Sequence, residues 1–424
     1  MRTKIRSLWE QEAYKRVLKN IFFLFILKGS EYLLPLILLP FLVRTLGVEL
    51  FGLLALATST VFVFRGVVAY GFDMTGTHQI AIHREDRAKV EEIFSSIILA
   101  KLILMAGTSV LFAAVVYNFE MFYVHWEVYT ITYLLVIGDV FFPQWFFQGM
   151  ENMKFITNLR IAYKTLYILM VFTFVYTSED YLWVPLLEAV SALAAGIVSL
   201  WFVHRNFGVG FKLQPIASVK NQFVESWHVF ISNMAVIFYS SANIIFLGVI
   251  LNEAAVGYFS IAKRLIDAIR GIFGPLNTAI FPFLSKQYLA DRAKYYSLAF
   301  KYFLFNSLGL LIFALMVFMF SGSLIELVSG QSMDASTAVL QILALGLVFS
   351  MGTFFSSMLI IKKQSRVLSK ITWMTMGFNL LFLYPAVAWY GIVGMAWLFV
   401  VVQIFHLYLQ LFYNAEIFKR PKNA

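Results

Sequence analysis

The chain reads as an all-α, polytopic membrane protein, with twelve transmembrane helices in two parallel six-helix repeats around a central cavity. Three observations lead there: the length of its apolar runs, the sidedness of its basic residues, and an internal correspondence at a fixed shift of 205 residues.

Apolar content comes first. Hydrophobic residues make up 61% of the 424 positions and charged residues 13%, with a mean hydropathy of +0.79. Ordinary soluble domains carry about 25% charged residues. A membrane-crossing helix needs about 20 mostly apolar residues, and such runs recur from end to end. Backbone groups in hydrocarbon must satisfy one another, so long runs without alternation predict helices rather than a barrel. The expected spans are about 20–43, 51–70, 93–117, 128–148, 160–177, 183–203, 223–250, 256–281, 297–320, 335–361, 371–390 and 392–413. Their connections are too short for a separate extramembrane domain. The thinnest join is at Tyr390–Gly391. The first 19 residues are charged and the first apolar run holds Lys28 and Glu31, so this run is expected to stay as a span rather than leave as a signal peptide. No cysteine is present, which removes disulfides and thiolate metal sites.

Basic residues set the orientation. Of 33 Lys and Arg, 24 fall in alternate segments beginning with the N-terminus, counting Arg160 at the edge of the fifth span. The opposite segments hold only Arg44. Positive charge marks the cytoplasmic side, so both termini are expected there. Trp126, Trp183 and Trp389 fall at outer span ends, and Trp145, Trp201, Trp227 and Trp373 at inner ones. No segment forms a dense basic cluster, so the net charge of +10 reports topology and not a nucleic-acid partner.

The repeat appears when 46–90 is laid on 251–295 without gaps. Leu46, Gly52, Ala57, Arg65 and Gly66 meet Leu251, Gly257, Ala262, Arg270 and Gly271, and Asp86-Arg87-Ala88-Lys89 meets Asp291-Arg292-Ala293-Lys294. The second span falls on the eighth. Six spans in each half make the repeats parallel. The expected lobes are residues 1–215 and 216–424.

Charges inside the spans are the candidate site. A charge at the bilayer centre costs about 2.5–3.5 kcal/mol on insertion scales. Lys28, Arg65, Lys101, Lys164, Lys263, Arg264, Arg270 and Lys301 fall within spans, against Glu31, Asp139, Glu188 and Asp267, with Glu225 near an end. On the eighth span, Lys263, Asp267 and Arg270 share an arc of about 60°, with Arg264 beside them. Such a stripe faces a watery cavity or another helix. Two readings follow. In one, Arg264, Arg270, Lys263, Arg65 and Lys28 bind an anion, since Lys and Arg grip phosphate through charge-assisted hydrogen bonds. In the other the charges pair structurally, with Asp267 among Lys263, Arg264 and Arg270, and Glu31 with Lys28. Asp267, Glu31 and Asp139 are also candidates for ion coupling.

Enzymatic chemistry is not expected. The six His are scattered, with His78 and His83 too awkwardly spaced for a common helical metal pair, and no Gly-Lys-Ser/Thr phosphate loop exists. A membrane enzyme would also need a substantial outer loop for its catalytic groups, and none is expected from these spans.

Three stretches then carry a family likeness. PFLVRTLGVELFG from Pro40, GFDMTGTHQIAIHRED from Gly71, and above all PQWFFQGMENMK at 143–154 resemble the corresponding segments of Wzx-type O-antigen flippases. The resemblance covers essentially the whole chain. It implies the superfamily of lipid II flippases and multidrug exporters, two bundles enclosing an alternately open cavity, and a bacterial cytoplasmic membrane. It further implies an undecaprenyl-diphosphate oligosaccharide as substrate, membrane lipids as surroundings, and polymerase and chain-length proteins as pathway partners. The eighth span is similar to the lipid II flippase segment that holds a cavity arginine, a role that falls on Arg264. A sodium site known in relatives would fall on Asn243 and Asn379, although no carboxylate occupies the Asn243 position. No cofactor is implied, and a proton or sodium gradient is the expected driving force. The alternative within the superfamily is a multidrug exporter. It would favour cationic drugs and acidic cavity residues, and the basic excess here argues against it.

Overall fold

The computed structural model describes residues 2–415, and among their side chains those from Phe22 onward apart from residues 23–25, Lys28, Tyr239, Pro275, Thr278, Ala279 and Thr353. The described residues are helical, with no strand. In chain order the helices are α1 (Arg2–Ala69), α2 (Phe72–His83), α3 (Arg87–Asn118), α4 (Glu120–Tyr123), α5 (Trp126–Phe141), α6 (Gln144–Gly149), α7 (Met153–Phe174), α8 (Trp183–Phe202), α9 (Ile216–Ile250), α10 (Glu253–Ala290), α11 (Arg292–Met319), α12 (Ser321–Ser329), α13 (Asp334–Leu347), α14 (Gly352–Ile361) and α15 (Ser365–Tyr413). Seven helices among the described residues are long and apolar enough to cross a membrane, or eight if the bent halves of α9 count as one span. The protein is therefore an all-helical integral membrane protein.

Two of these helices are too long for one crossing. At 1.5 Å per residue, the 49 residues of α15 would reach about 70 Å, against a hydrocarbon core of about 30 Å. Gly391, at φ +58° and ψ −140°, breaks it into a hairpin. Gly47, at φ +80°, breaks α1 in the same way. Positive φ is accessible to glycine without a Cβ penalty, so these two positions turn the chain inside otherwise apolar sequence. Other predicted spans are interrupted. The fourth stops at Phe141, where Pro143 cannot donate a helical hydrogen bond. The tenth divides into α13 and α14, and α9 bends by 40° between Phe238 and Ser240.

The chain folds into two compact units. One comprises Met1–Leu34, Val61–Tyr176 and Leu182–Asn233, the other Pro35–Thr60, Thr177–Tyr181 and Met234–Ala424. In the first, α5 packs along α8, α7 lies against α8, and α2 sits on α6 and α3. Its core gathers Phe72, Ile80, Phe94 and Trp145. In the second, α13 packs against α10, α11 and α15, and its core gathers Phe273, Tyr295, Phe354 and Phe355.

The family-like stretches are packing devices. The stretch after Gly71, expected as a loop, contains helix α2, whose Phe72, Gly76 and Ile80 are buried at intervals of four. It docks on the Trp-Phe-Phe of α6, all three rings fully buried. A Cβ on Gly76 would lie 2.9 Å from the Trp145 ring, and one on Gly149 would lie 2.6 Å from Ile80 Cβ. The Thr77 hydroxyl lies 3.2 Å from both the Trp145 carbonyl and the Gln148 side-chain oxygen. Only glycine permits this approach.

Within the second unit, the turn after Gly47 meets the start of α10 at van der Waals limits. A Cβ on Gly52 would lie 1.9 Å from the Glu253 carbonyl oxygen, and one on Gly257 would lie 2.1 Å from the Val48 carbonyl oxygen. Arg44 donates from Nε to the Val328 carbonyl at 3.2 Å and from Nη2 to the Leu327 carbonyl, tying the same turn to the end of α12.

Candidate functional site

Three polar arrangements stand within the spans, each inside one unit. On α10, Lys263 donates to Asp267 one turn later. The Arg264 guanidinium lies over the Phe51 ring at 4.9 Å, and Arg270 over the Phe399 ring at 5.0 Å. The stripe therefore holds three cations and one carboxylate within eight residues. Its two arginines lie on aromatic faces, which attract a guanidinium.

In the first unit two arginines are matched to carboxylates. Arg65 makes a bidentate pair with Asp139, Nε to Oδ2 at 2.5 Å and Nη2 to Oδ1 at 3.0 Å. Arg160 donates to Glu31 at 2.5 Å and to the Gln144 side-chain oxygen at 2.5 Å. Sequence reasoning left Arg160 at a span edge and missed it as a partner. It stands within α7, and Gln144 of the Pro-Gln-Trp stretch fixes its second arm. Glu31 is thus engaged by Arg160, 129 positions away. The side chain of Lys28, its expected partner, lies outside the described residues.

The third arrangement is neutral. Asn379 donates to Asn243 Oδ1 at 2.9 Å, both side chains buried. The Asn379 oxygen has no hydrogen-bond partner among the described residues. The two positions that the resemblance had linked are therefore in contact across α9 and α15. Further along α15, the Gln410 amide nitrogen donates to Ser356, and His406 Nδ1 lies 3.1 Å from the Thr375 hydroxyl. These polar contacts were not foreseen, because isolated polar residues in apolar helices give no pairing signal. No group of three or more His, Cys, Asp or Glu able to hold a metal occurs among the described residues.

Comparison with known proteins fits this architecture. The family model described as polysaccharide biosynthesis protein matches residues 17–288. A protein of Escherichia coli K12 named "Putative O-antigen transporter" is 29% identical over 380 residues, covering 89% of this chain and 92% of that one. Among solved structures, an inward-facing multidrug resistance transporter of the MATE family and MOP superfamily superposes with a TM-score of 0.71 at 14% identity, covering 93% and 96% of the two chains. The lipid II flippase MurJ in an inward closed conformation gives 0.50 at 13% identity, covering 96% and 87%. These two likenesses concern the fold. The Wzx-type resemblance read from the three stretches is borne out by the family match, and the chain belongs to the polysaccharide biosynthesis protein family.

Proposed function

We propose that this protein is a transporter, not an enzyme, and that it flips an undecaprenyl-diphosphate-linked oligosaccharide from the cytoplasmic to the periplasmic leaflet of the bacterial inner membrane by alternating access. The carrying observation is the α10 stripe, with Lys263, Arg264 and Arg270 against the single carboxylate of Asp267. A diphosphate cannot enter hydrocarbon unaided, while a polyprenyl tail can remain in lipid. Cations set into a membrane helix meet the first need, and Arg264 is the residue we assign to the diphosphate.

The finer architecture belongs to the same reading: twelve spans, two parallel repeats as lobes 1–215 and 216–424, and both termini cytoplasmic. The glycine contacts support the repeat. Residues 48 and 52 become 253 and 257 under the shift of 205, and Gly52 meets Glu253 just as Gly257 meets Val48. Reciprocal contacts of this kind are what a two-fold relation between equivalent segments produces. The boundary near 215 is one of sequence, since the compact units cross it. A proton or sodium gradient drives the cycle in this reading, with Asp267 as the coupling candidate. The Asn243–Asn379 pair has the position of a sodium site without its carboxylate.

Complementation of a flippase-null strain tests the function. Arg264→Ala protein should reach normal membrane abundance and make no surface polysaccharide, while Arg264→Lys should retain part of the output because the charge survives and the bidentate fork does not. Normally abundant Arg264→Ala protein with wild-type polysaccharide would overturn the assignment. Reporter fusions test orientation. Sites at His125, Asp180 and Asp334 should read periplasmic, and sites at Lys212 and Lys363 cytoplasmic. Reversal at any two would break the topology.

A further inference from the structure

The first unit gathers more ionisable side chains than its two ion pairs use. On α7, Arg160, Tyr163 and Lys164 stand three and four residues apart and so share a face. The Lys164 ammonium is within electrostatic reach of Glu31, Arg65, Arg160 and Glu188. The Tyr163 phenol is within reach of Arg65, Asp139, Arg160 and Glu188. Helices α7 and α8, which carry Lys164 and Glu188, pack together, and both are apolar enough to cross a membrane. The group therefore stands inside a bundle of spans.

Four of its members are committed, Arg65 to Asp139 and Arg160 to Glu31. These pairs join α1 to α5 and α7 to α1. The other three are not committed. Glu188, Tyr163 and Lys164 make no hydrogen bond or ion pair with any described residue, and each is half-buried. An ionised side chain inside a span is costly, and a neighbouring carboxylate and ammonium reduce that cost by closing into contact. Lys164 and Glu188 attract one another across the cluster and stay apart. A polar medium, water or a ligand in its place, must reach them. The Asp139 side chain, 42% exposed, lies on the same accessible face.

The chemistry of the three suits a polyol. The Glu188 carboxylate accepts hydrogen bonds, the Lys164 ammonium donates them, and the Tyr163 phenol does both. A sugar hydroxyl also does both. One acid against one base leaves no net charge, so neither an anion nor an organic cation is favoured. On α10, by contrast, cations outnumber the acid.

We infer that Glu188, Tyr163 and Lys164 form a binding site for an uncharged sugar ring of the lipid-linked oligosaccharide. This inference rests on the flippase reading and extends it from the diphosphate to the glycan.

The test compares two lipids on the full chain in nanodiscs. One is undecaprenyl diphosphate, and the other is the lipid-linked oligosaccharide extracted from the parent bacterium with this gene deleted. Wild-type protein should bind the extracted glycolipid at least about tenfold more tightly than the bare diphosphate, the contribution of one hydrogen bond to a charged group. Glu188→Gln, which keeps the shape and loses the charge, should weaken glycolipid binding about fivefold and leave binding of the bare lipid unchanged. Tyr163→Phe removes only a hydroxyl, and it should weaken glycolipid binding about threefold with an unchanged unfolding temperature. A role limited to holding α7 against α8 would lower the unfolding temperature and both affinities together, and would overturn the inference. Equal binding of the two lipids by the wild type would overturn it too, as would unchanged glycolipid binding by both variants. Failure of the flippase reading looks different: the wild type would bind neither lipid, or Arg264→Ala protein would bind both as the wild type does.

Discussion

Arg65 and Arg270 occupy equivalent positions under the 205-residue shift, yet they have been put to different uses. Arg65 is clamped in a bidentate pair with Asp139. Carrying the shift on from Asp139 lands on Ala344, a buried apolar residue of α13, and Arg270 lies over the Phe399 ring. In the first unit a second arginine is matched to a carboxylate too, Arg160 with Glu31. On α10 the cations exceed the acid. The first pattern joins helices of one unit, and in the proposed function the second serves the diphosphate.

That contrast gives graded consequences. The largest concerns the Arg65–Asp139 pair, in which two hydrogen bonds to charged groups contribute about 1.5–3 kcal/mol each. Arg65→Ala should deplete the protein from the membrane. The double change Arg65→Met with Asp139→Leu should restore abundance, since an apolar pair of similar volume often replaces an ion pair withdrawn from water at little cost. Membrane blots of the single and double variants check this. Restored abundance with full polysaccharide output would make Arg65 purely structural, and restored abundance without output would return it to the anion site.

A smaller effect is expected at Gly52. An added methyl meets the Glu253 carbonyl oxygen and forces the two segments apart, a kind of overpacking that costs about 1–3 kcal/mol. Gly52→Ala and Gly257→Ala should lower thermal stability by similar amounts if the contact is reciprocal. A clear inequality between the two unfolding midpoints would weaken the repeat. The smallest effect is expected from Phe51→Leu, which removes the ring beneath Arg264. A cation–π contact contributes about 0.5–2 kcal/mol, so transport should fall severalfold with abundance unchanged.

Much of the fold was legible because it follows from solvent. Apolar runs declare helices wherever water is absent, and Gly391 was readable as a break between two runs. Helix α2 was not, because its buried Phe72, Gly76 and Ile80 lie among polar residues and form no clear apolar stripe. Arg160 was hidden by the rule that made the topology readable: a basic residue near a span end counts as loop, and nothing local signals that it turns inward to Glu31. The α10 stripe was visible from helical spacing alone. The pairs Arg65–Asp139 and Asn243–Asn379 bridge 74 and 136 positions, and periodicity carries no information over such distances. Only the second was anticipated, through the family resemblance.

The central claim is that α10 receives a diphosphate through Arg264, and direct binding tests it most simply. Purified protein in nanodiscs should bind undecaprenyl diphosphate, and Arg264→Ala should weaken that binding roughly 10- to 150-fold, the loss of one hydrogen bond to a charged group. Arg264→Lys should fall between them, with all three proteins unfolding at the same temperature. Arg264→Ala protein that unfolds like the wild type and binds undecaprenyl diphosphate with unchanged affinity would contradict the account.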